Sequence, residues 1–435
     1  FMENVNLLFI GAILSIALGG LSLRLVRRND KLAWNENIAA HILCLMFITK
    51  GIQNAAIAYY TEATGSEWQF WTELAYTMDY VFSASVLSIA LLYPIPFLRN
   101  IKQVKIGLSL VGGLMIFRIM LDVIGFNFTA LALPGVVYYS SAILWGSVYV
   151  KFRLMPPEKR TDSTNNIALL SGLFITLVLG HVWMWWPGLI LQSKYFFFFD
   201  LVGGELTSTL WDYMWMSGYA IGIGAGLAIV SIEVYQAMKG NLNKLIYIIL
   251  PYFVLGLIGY SIYSNGTDSG FILNENGGKI VELWSVFTSS LHFTIARPII
   301  AMYILLKFGL FDINEETKPM AKMMSIILIV VATSAILELL QSVLPINQMI
   351  SAALLGIIIA FGIGWEEKSF HTLVNNPADL RSGIENKWFP ILDIPKKHIN
   401  RIDLACLIYC LAALLISFVI WQMDILLTVA IERGA

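Results

Sequence analysis

Residues 132–150, ALPGVVYYSSAILWGSVYV, carry no charged side chain, and Lys151 and Arg153 follow at once. About 20 apolar residues in a helix span roughly 30 Å, the thickness of a bilayer's hydrocarbon core. Only helices and closed barrels satisfy their backbone polar groups in that medium. The stretch therefore predicts a transmembrane helix ending on cations. Similar stretches recur near 5–24, 37–60, 73–95, 105–126, 132–152, 167–192, 209–235, 245–264, 282–308, 321–344, 347–365 and 404–427. They predict an all-α fold, a polytopic integral membrane helical bundle of about 12 transmembrane helices. The composition agrees: 13% of residues are charged, against about a quarter in a soluble domain.

The cations set the topology. Odd gaps hold Arg24, Arg27, Arg28 and Lys31; then Arg99, Lys102 and Lys105; then Lys151, Arg153, Lys159 and Arg160. Lys239 and Lys244 follow, then Lys307, Lys318 and Lys322, and finally the cations from Lys368 to Arg401. Even gaps carry only Lys194 and Lys279. Cytoplasmic loops retain Lys and Arg, so odd gaps are expected inside and both termini outside. The expected organisation is a transmembrane bundle of about 11 helices over 1–365. A cytoplasmic-side segment with Pro377, Pro390 and Pro395 covers 366–403, and a last transmembrane helix with a short outer tail covers 404–435. The cations follow the first apolar stretch, so it reads as a retained helix rather than a cleaved signal.

Two segments expected in outer loops are rich in aromatics. One holds Trp68, Phe70 and Trp71; the other holds Trp183, Trp185, Trp186, Tyr195 and four Phe from Phe196. Amphipathic rings favour the headgroup level, so both are expected to form an aromatic belt. Two glycosylation sequons, at Asn127 and Asn265, are also expected in outer loops. The seventh stretch carries Gly218, Gly222 and Gly226, a small-residue face that allows close helix contact.

Several chemistries are excluded or disfavoured. A net charge of −1 lacks the basic patch that nucleic acid requires. No P-loop or Gly-rich phosphate cradle is present, which argues against direct ATP drive. Cys44, Cys406 and Cys410 all lie in apolar stretches, and Cys406 and Cys410 lack a second Cys/His pair to complete a metal site. His41, His181 and His292 fall at different expected depths, so a haem held between two of them is not expected. No cofactor is predicted.

Ionisable groups inside a bilayer are costly and usually face the bundle interior or a wet cavity. Lys50, Asp79, Arg118, Asp122, His181, Asp212 and Glu338 all fall in the outer half of their spans. They predict either ion pairs that lock helices together, Arg118 with Asp79 or Asp122 and Lys50 with the other, or a polar cavity open to the outside; Asp79 and Arg118 are expected to approach each other between the third and fourth spans. His292, Arg297 and Pro298 lie deeper in the ninth span. Pro298 removes a backbone donor, so a kink is expected there.

Residues 297–312, RPIIAMYILLKFGLFD, end an apolar helix on Leu-Phe-Asp, and Ile313 and a further apolar helix follow. From about 297 to 345 this resembles the seven-helix membrane module of prokaryotic sensor histidine kinases. The resemblance implies a ligand-sensing or partner-coupled membrane module in a prokaryotic cell membrane. The chain departs from that family after the module: it returns to the membrane, and no ATP-binding sequence follows His371. No functional residue is carried over.

Three functions are compatible with these features. A secondary transporter of a small solute, ion or proton fits the charged membrane residues and the absence of nucleotide motifs. A sensor-like or accessory subunit, covered by other membrane protein chains, fits the resemblance. A lipid-modifying membrane enzyme would need a catalytic constellation, and none with diagnostic spacing is present. The expected partners are membrane lipids and a small polar solute or proton.

Overall fold

The computed structural model describes residues 2–60, 66–123, 127–187, 209–268, 284, 287–311, 313–343, 372, 373, 376–380, 382 and 415. Its helices are α1 (Met2–Arg28), α2 (Trp34–Tyr60), α3 (Ser66–Leu92), α4 (Ile101–Val123) and α5 (Asn127–Arg153). They are followed by α6 (Asp162–Trp183), α7 (Thr209–Met238), α8 (Leu245–Asp268), a π-helical segment at Ser290–Ala296, α9 (Arg297–Lys307) and α10 (Lys318–Val343). No strand occurs among the described residues. Helices lie over every expected apolar stretch up to 321–344. The stretches at 347–365 and 404–427, Cys406, Cys410, His371 and most of 366–403 lie outside the described residues.

Six helical runs among the described residues are long and apolar enough to cross a bilayer: Trp34–Tyr59, Phe70–Leu92, Ile101–Leu121, Asp162–Trp183, Ile221–Met238 and Phe287–Lys307. Their outward faces suit lipid rather than water. On α4, Ile106, Leu110, Phe117 and Met120 are exposed, Leu110 by 65%. The shorter apolar run Leu245–Ser261 of α8 shows the same surface, with Tyr247, Leu250, Val254, Leu257 and Ile258 exposed at helical spacing. Apolar faces this continuous are a liability in water and the natural surface in hydrocarbon.

The chain divides into two compact units. The first comprises Phe1–Ser141, Ala301–Ser334 and Leu355–Ala435. Here α1 and α2 pack closely through glycines. A Cβ on Gly19 would stand 2.5 Å from Ile48 Cγ1, and one on Gly51 would stand 2.7 Å from the Ala12 carbonyl oxygen. The helix α2 then packs on α3 through Ala56, Leu74, Ala75 and Met78. At the expected cytoplasmic face, Arg28 pairs with Glu316 at 2.9 Å. Ala378 N–H donates to the Lys307 carbonyl at 2.7 Å, so part of the 366–403 segment is tied to the end of α9.

The second unit comprises Ala142–Ile300 and Ala335–Leu354. Its centre is α6, almost all of whose residues are buried. A capping box starts it: Thr164 N–H donates to Thr161 Oγ1, and Thr161 N–H donates to Thr164 Oγ1 at 2.9 Å. Around α6 pack α7, α8 and the π-helical segment.

The expected aromatic belt is corrected at 183–186. Trp183 is fully buried and Trp185 nearly so. The Trp183 indole N–H donates to the Gly222 carbonyl at 2.9 Å. A Cβ on Gly226 would clash with the same ring. The α7 backbone at Gly222 and Gly226 thus receives an indole, which leaves no room for a side chain at Gly226. A buried indole needs a hydrogen-bond acceptor, and the backbone of α7 supplies one. Tyr195 and the Phe196 run lie outside the described residues. The sequons are also not in loops: Asn127 starts α5 and Asn265 lies in the last turn of α8.

Candidate functional site

Pro298 shapes the site in the second unit. It has no N–H, and its ring would meet the carbonyl four residues back in a regular α-helix. The turn before it is widened into the π-helical segment Ser290–Ala296. There the Arg297 N–H donates to the carbonyl of His292, five residues back rather than four. Single π turns inside helices recur at functional positions. Here the widened turn carries His292, which is fully buried.

His292 is held at both ring nitrogens. Nε2 lies 3.3 Å from the Leu177 carbonyl oxygen. A carbonyl can only accept, so Nε2 carries the hydrogen and Nδ1 is the acceptor. The Tyr252 hydroxyl then donates to Nδ1 at 3.1 Å. Arg297 Nε donates to the same Leu177 carbonyl at 2.9 Å, while its guanidinium lies 4.5 Å from the centroid of the Phe293 ring. That stacking is a favourable cation–π contact in a desolvated setting. His181, in the last turn of α6, turns Nε2 toward the hydroxyls of Thr288 at 3.3 Å and Ser289 at 3.4 Å. The His181 and His292 ring centroids are 6.4 Å apart.

His181 and His292, expected at different depths, are neighbours. The apolar stretch around His181 runs to 192, but α6 ends at Trp183. His181 is therefore one turn from a helix end, and the two rings are neighbours. Leu177, Tyr252, His292 and Arg297 form one hydrogen-bonded group, and His181, Thr288 and Ser289 form a second beside it. Tyr252, Thr288 and Ser289 were not legible as site residues, because hydroxyls in apolar helices usually serve local backbone bonds.

A second polar cluster lies in the first unit, between α3 and α4. Arg118 Nη1 donates to Glu73 Oε1 at 2.8 Å, and both side chains are 2% exposed. The expected Arg118–Asp79 pair is thus corrected: the carboxylate on Arg118 is Glu73, and Asp79 is exposed. Six residues turn a helix by about one and two-thirds turns, so the face that gives Glu73 to α4 cannot also give Asp79. Lys50 Nζ donates to Gln53 Oε1 at 2.9 Å, and Gln53 Nε2 donates to the Ala75 carbonyl of α3 at 3.3 Å.

A third cluster, also in the second unit, was not foreseen. Arg153 at the end of α5 forms a two-pronged pair with Glu233 of α7: Nε to Oε1 at 2.9 Å and Nη2 to Oε2 at 2.7 Å. The Tyr149 hydroxyl donates to Glu233 Oε1 at 2.7 Å, and Arg153 Nη2 also donates to the Asn241 carbonyl at 2.6 Å.

The remaining candidates divide between the units. Asp122 belongs to the first, and Asp212 and Glu338 to the second; the side chains of all three lie outside the described residues. No group of three or more His, Cys, Asp or Glu among the described residues is placed to hold a metal ion. The chain matches no protein-family model, no curated protein and no solved structure.

Proposed function

We propose that the chain is a twelve-span membrane protein with both termini outside, acting as a secondary transporter of a small polar solute or a proton. The observation that carries this reading is the His181–His292 pair, whose ring centroids lie 6.4 Å apart beside a π-helical break in a helix long and apolar enough to cross a bilayer. Interrupted membrane helices leave backbone groups that line a solute path. Ionisable groups at such places mark ion and proton routes. A neutral imidazole donates at one ring nitrogen and accepts at the other, so it can pass a proton along a hydrogen-bonded line. The Tyr252 hydroxyl, His292 and the Leu177 carbonyl make a continuous hydrogen-bonded line through the site. A passive scaffold would gain at least as much from apolar residues of the same volume.

The test is flux in proteoliposomes of the purified chain. The transport reading expects movement of a proton or small polar solute that is lost on substituting His292 or His181. An accessory subunit would show no flux alone and would co-purify with another membrane chain.

A further inference from the structure

The outward face of α4 changes character at one end. Lys102, Lys105, Ile106, Leu110, Phe117 and Met120 follow one another at helical spacing, and all are exposed. Val104, Val111, Met115 and Arg118, on the opposite face, are buried. From Ile106 to Met120 the apolar part of the stripe covers about 21 Å of helix. That exceeds one leaflet's half of a hydrocarbon core roughly 30 Å thick. The stripe lies within Ile101–Leu121, a run long and apolar enough to cross a bilayer. Acyl chains are therefore what suits it.

The charges at the Lys102 end are all of one sign. Arg99, Lys102 and Lys105 are exposed, with Phe97 and Ile101 exposed among them. No Asp or Glu occurs between Asp79 and Asp122. Cations at other helix ends are answered differently: Arg28 lies on Glu316, Lys318 beside Glu315 and Arg153 on Glu233, while Lys239 stands over the Tyr235 ring. Lys102 and Lys105 are three residues apart, so they are neighbours on the helix surface, and like charges placed so repel. The backbone donors of this turn are already served. Gln103 N–H donates to Asn100 Oδ1 at 2.8 Å, and Arg99 N–H donates to Gln103 Oε1 at 2.8 Å. The side-chain charge is what calls for an anion, at the level where headgroups lie.

We propose that this end of α4 binds an anionic phospholipid, its phosphate bridging Lys102 and Lys105 and its acyl chains lying along Ile106, Leu110 and Phe117. The phosphate oxygens accept from both ammonium groups and relieve their repulsion. A free anion would leave the apolar stripe uncovered. A zwitterionic headgroup would bring its own ammonium beside the lysines and cancel much of the attraction. This site belongs to the lipid-facing surface and stands independently of the transport reading.

The experiment uses the full-length chain in a cysteine-free background, with a small fluorophore on Ile106→Cys. The protein is placed at low ionic strength in phosphatidylcholine vesicles with rising fractions of brominated phosphatidylglycerol or, in parallel, of brominated phosphatidylcholine. Bromine quenches the fluorophore on contact, so the two curves give the relative association of the two lipids at that spot. Phosphatidylglycerol should be preferred. The preference should fall about fivefold in Lys102→Gln or Lys105→Gln alone, fall further in the double variant, and shrink in high salt. The same fluorophore on Met120→Cys should show no preference. Equal quenching by the two lipids at Ile106→Cys, or a preference kept in full by the double variant, would overturn the proposal. Quenching by neither lipid would show that another protein surface covers this face, and would overturn it too.

Discussion

A Cβ placed on Gly180 would stand 2.8 Å from Cε1 of His292 and 2.9 Å from Cε1 of Tyr252. The imidazole and the phenol occupy the space that any larger residue on α6 would need. Gly180→Ala should therefore cost about 1–3 kcal/mol of stability through overpacking. In a His292→Ala background part of that cost should vanish, because the imidazole is gone and only the Tyr252 ring still meets the new methyl. Unfolding midpoints of the two single variants and the double variant check this. Equal costs of Gly180→Ala in both backgrounds would contradict the packing.

The Arg153–Glu233 pair makes a different prediction. Removing one partner leaves a buried charge uncompensated, so Arg153→Ala and Glu233→Ala should each cost about 3–5 kcal/mol. The paired replacement Arg153→Met with Glu233→Leu should recover most of the loss, since apolar residues of similar volume serve a dry site equally well. Tyr149→Phe should cost about 1 kcal/mol, the worth of one hydrogen bond. Denaturant unfolding in mild detergent would read all four variants.

Two acids on α3 should behave oppositely. Glu73 is buried on Arg118, whereas Asp79 is exposed. Asp79→Asn should not destabilise the protein, because it removes a charge from an exposed position inside a run long and apolar enough to cross a bilayer. Glu73→Gln should destabilise it, because the buried Arg118 charge loses that carboxylate. Thermal unfolding of both variants decides between the two partners.

The twelve-span topology is tested by a membrane-impermeant thiol reagent on single cysteines placed in a cysteine-free background. Ser66→Cys should label from outside. Glu158→Cys, at an exposed position in the 3₁₀ turn after α5, should label only from inside. Labelling of both from one side would refute the topology.

The helices were legible because apolar stretches near bilayer length have few other uses. The polar clusters were harder to read because helices do not end where apolarity ends. Glu73 is the first residue of the apolar stretch at 73–95 and so stands at its edge, yet α3 starts at Ser66, about 10 Å of helix earlier. Glu233 lies near the end of its stretch for the same reason. The His181–His292 meeting depends on where α6 stops and on the widened turn before Pro298, and neither leaves a mark in periodicity. Arg118 could be recognised as a group needing an acid, but choosing Glu73 over Asp79 requires the helix rotation.

Proton movement into proteoliposomes measures transport through the histidine cluster most directly. Vesicles holding a trapped pH dye and the purified chain would be given a membrane potential, alone and with a panel of small polar solutes outside. The account predicts proton or solute-coupled proton movement that falls to the level of empty vesicles in His292→Ala and His181→Ala. Correctly inserted protein that moves nothing under any of these conditions, or His292→Ala protein that matches the unaltered chain, would contradict it.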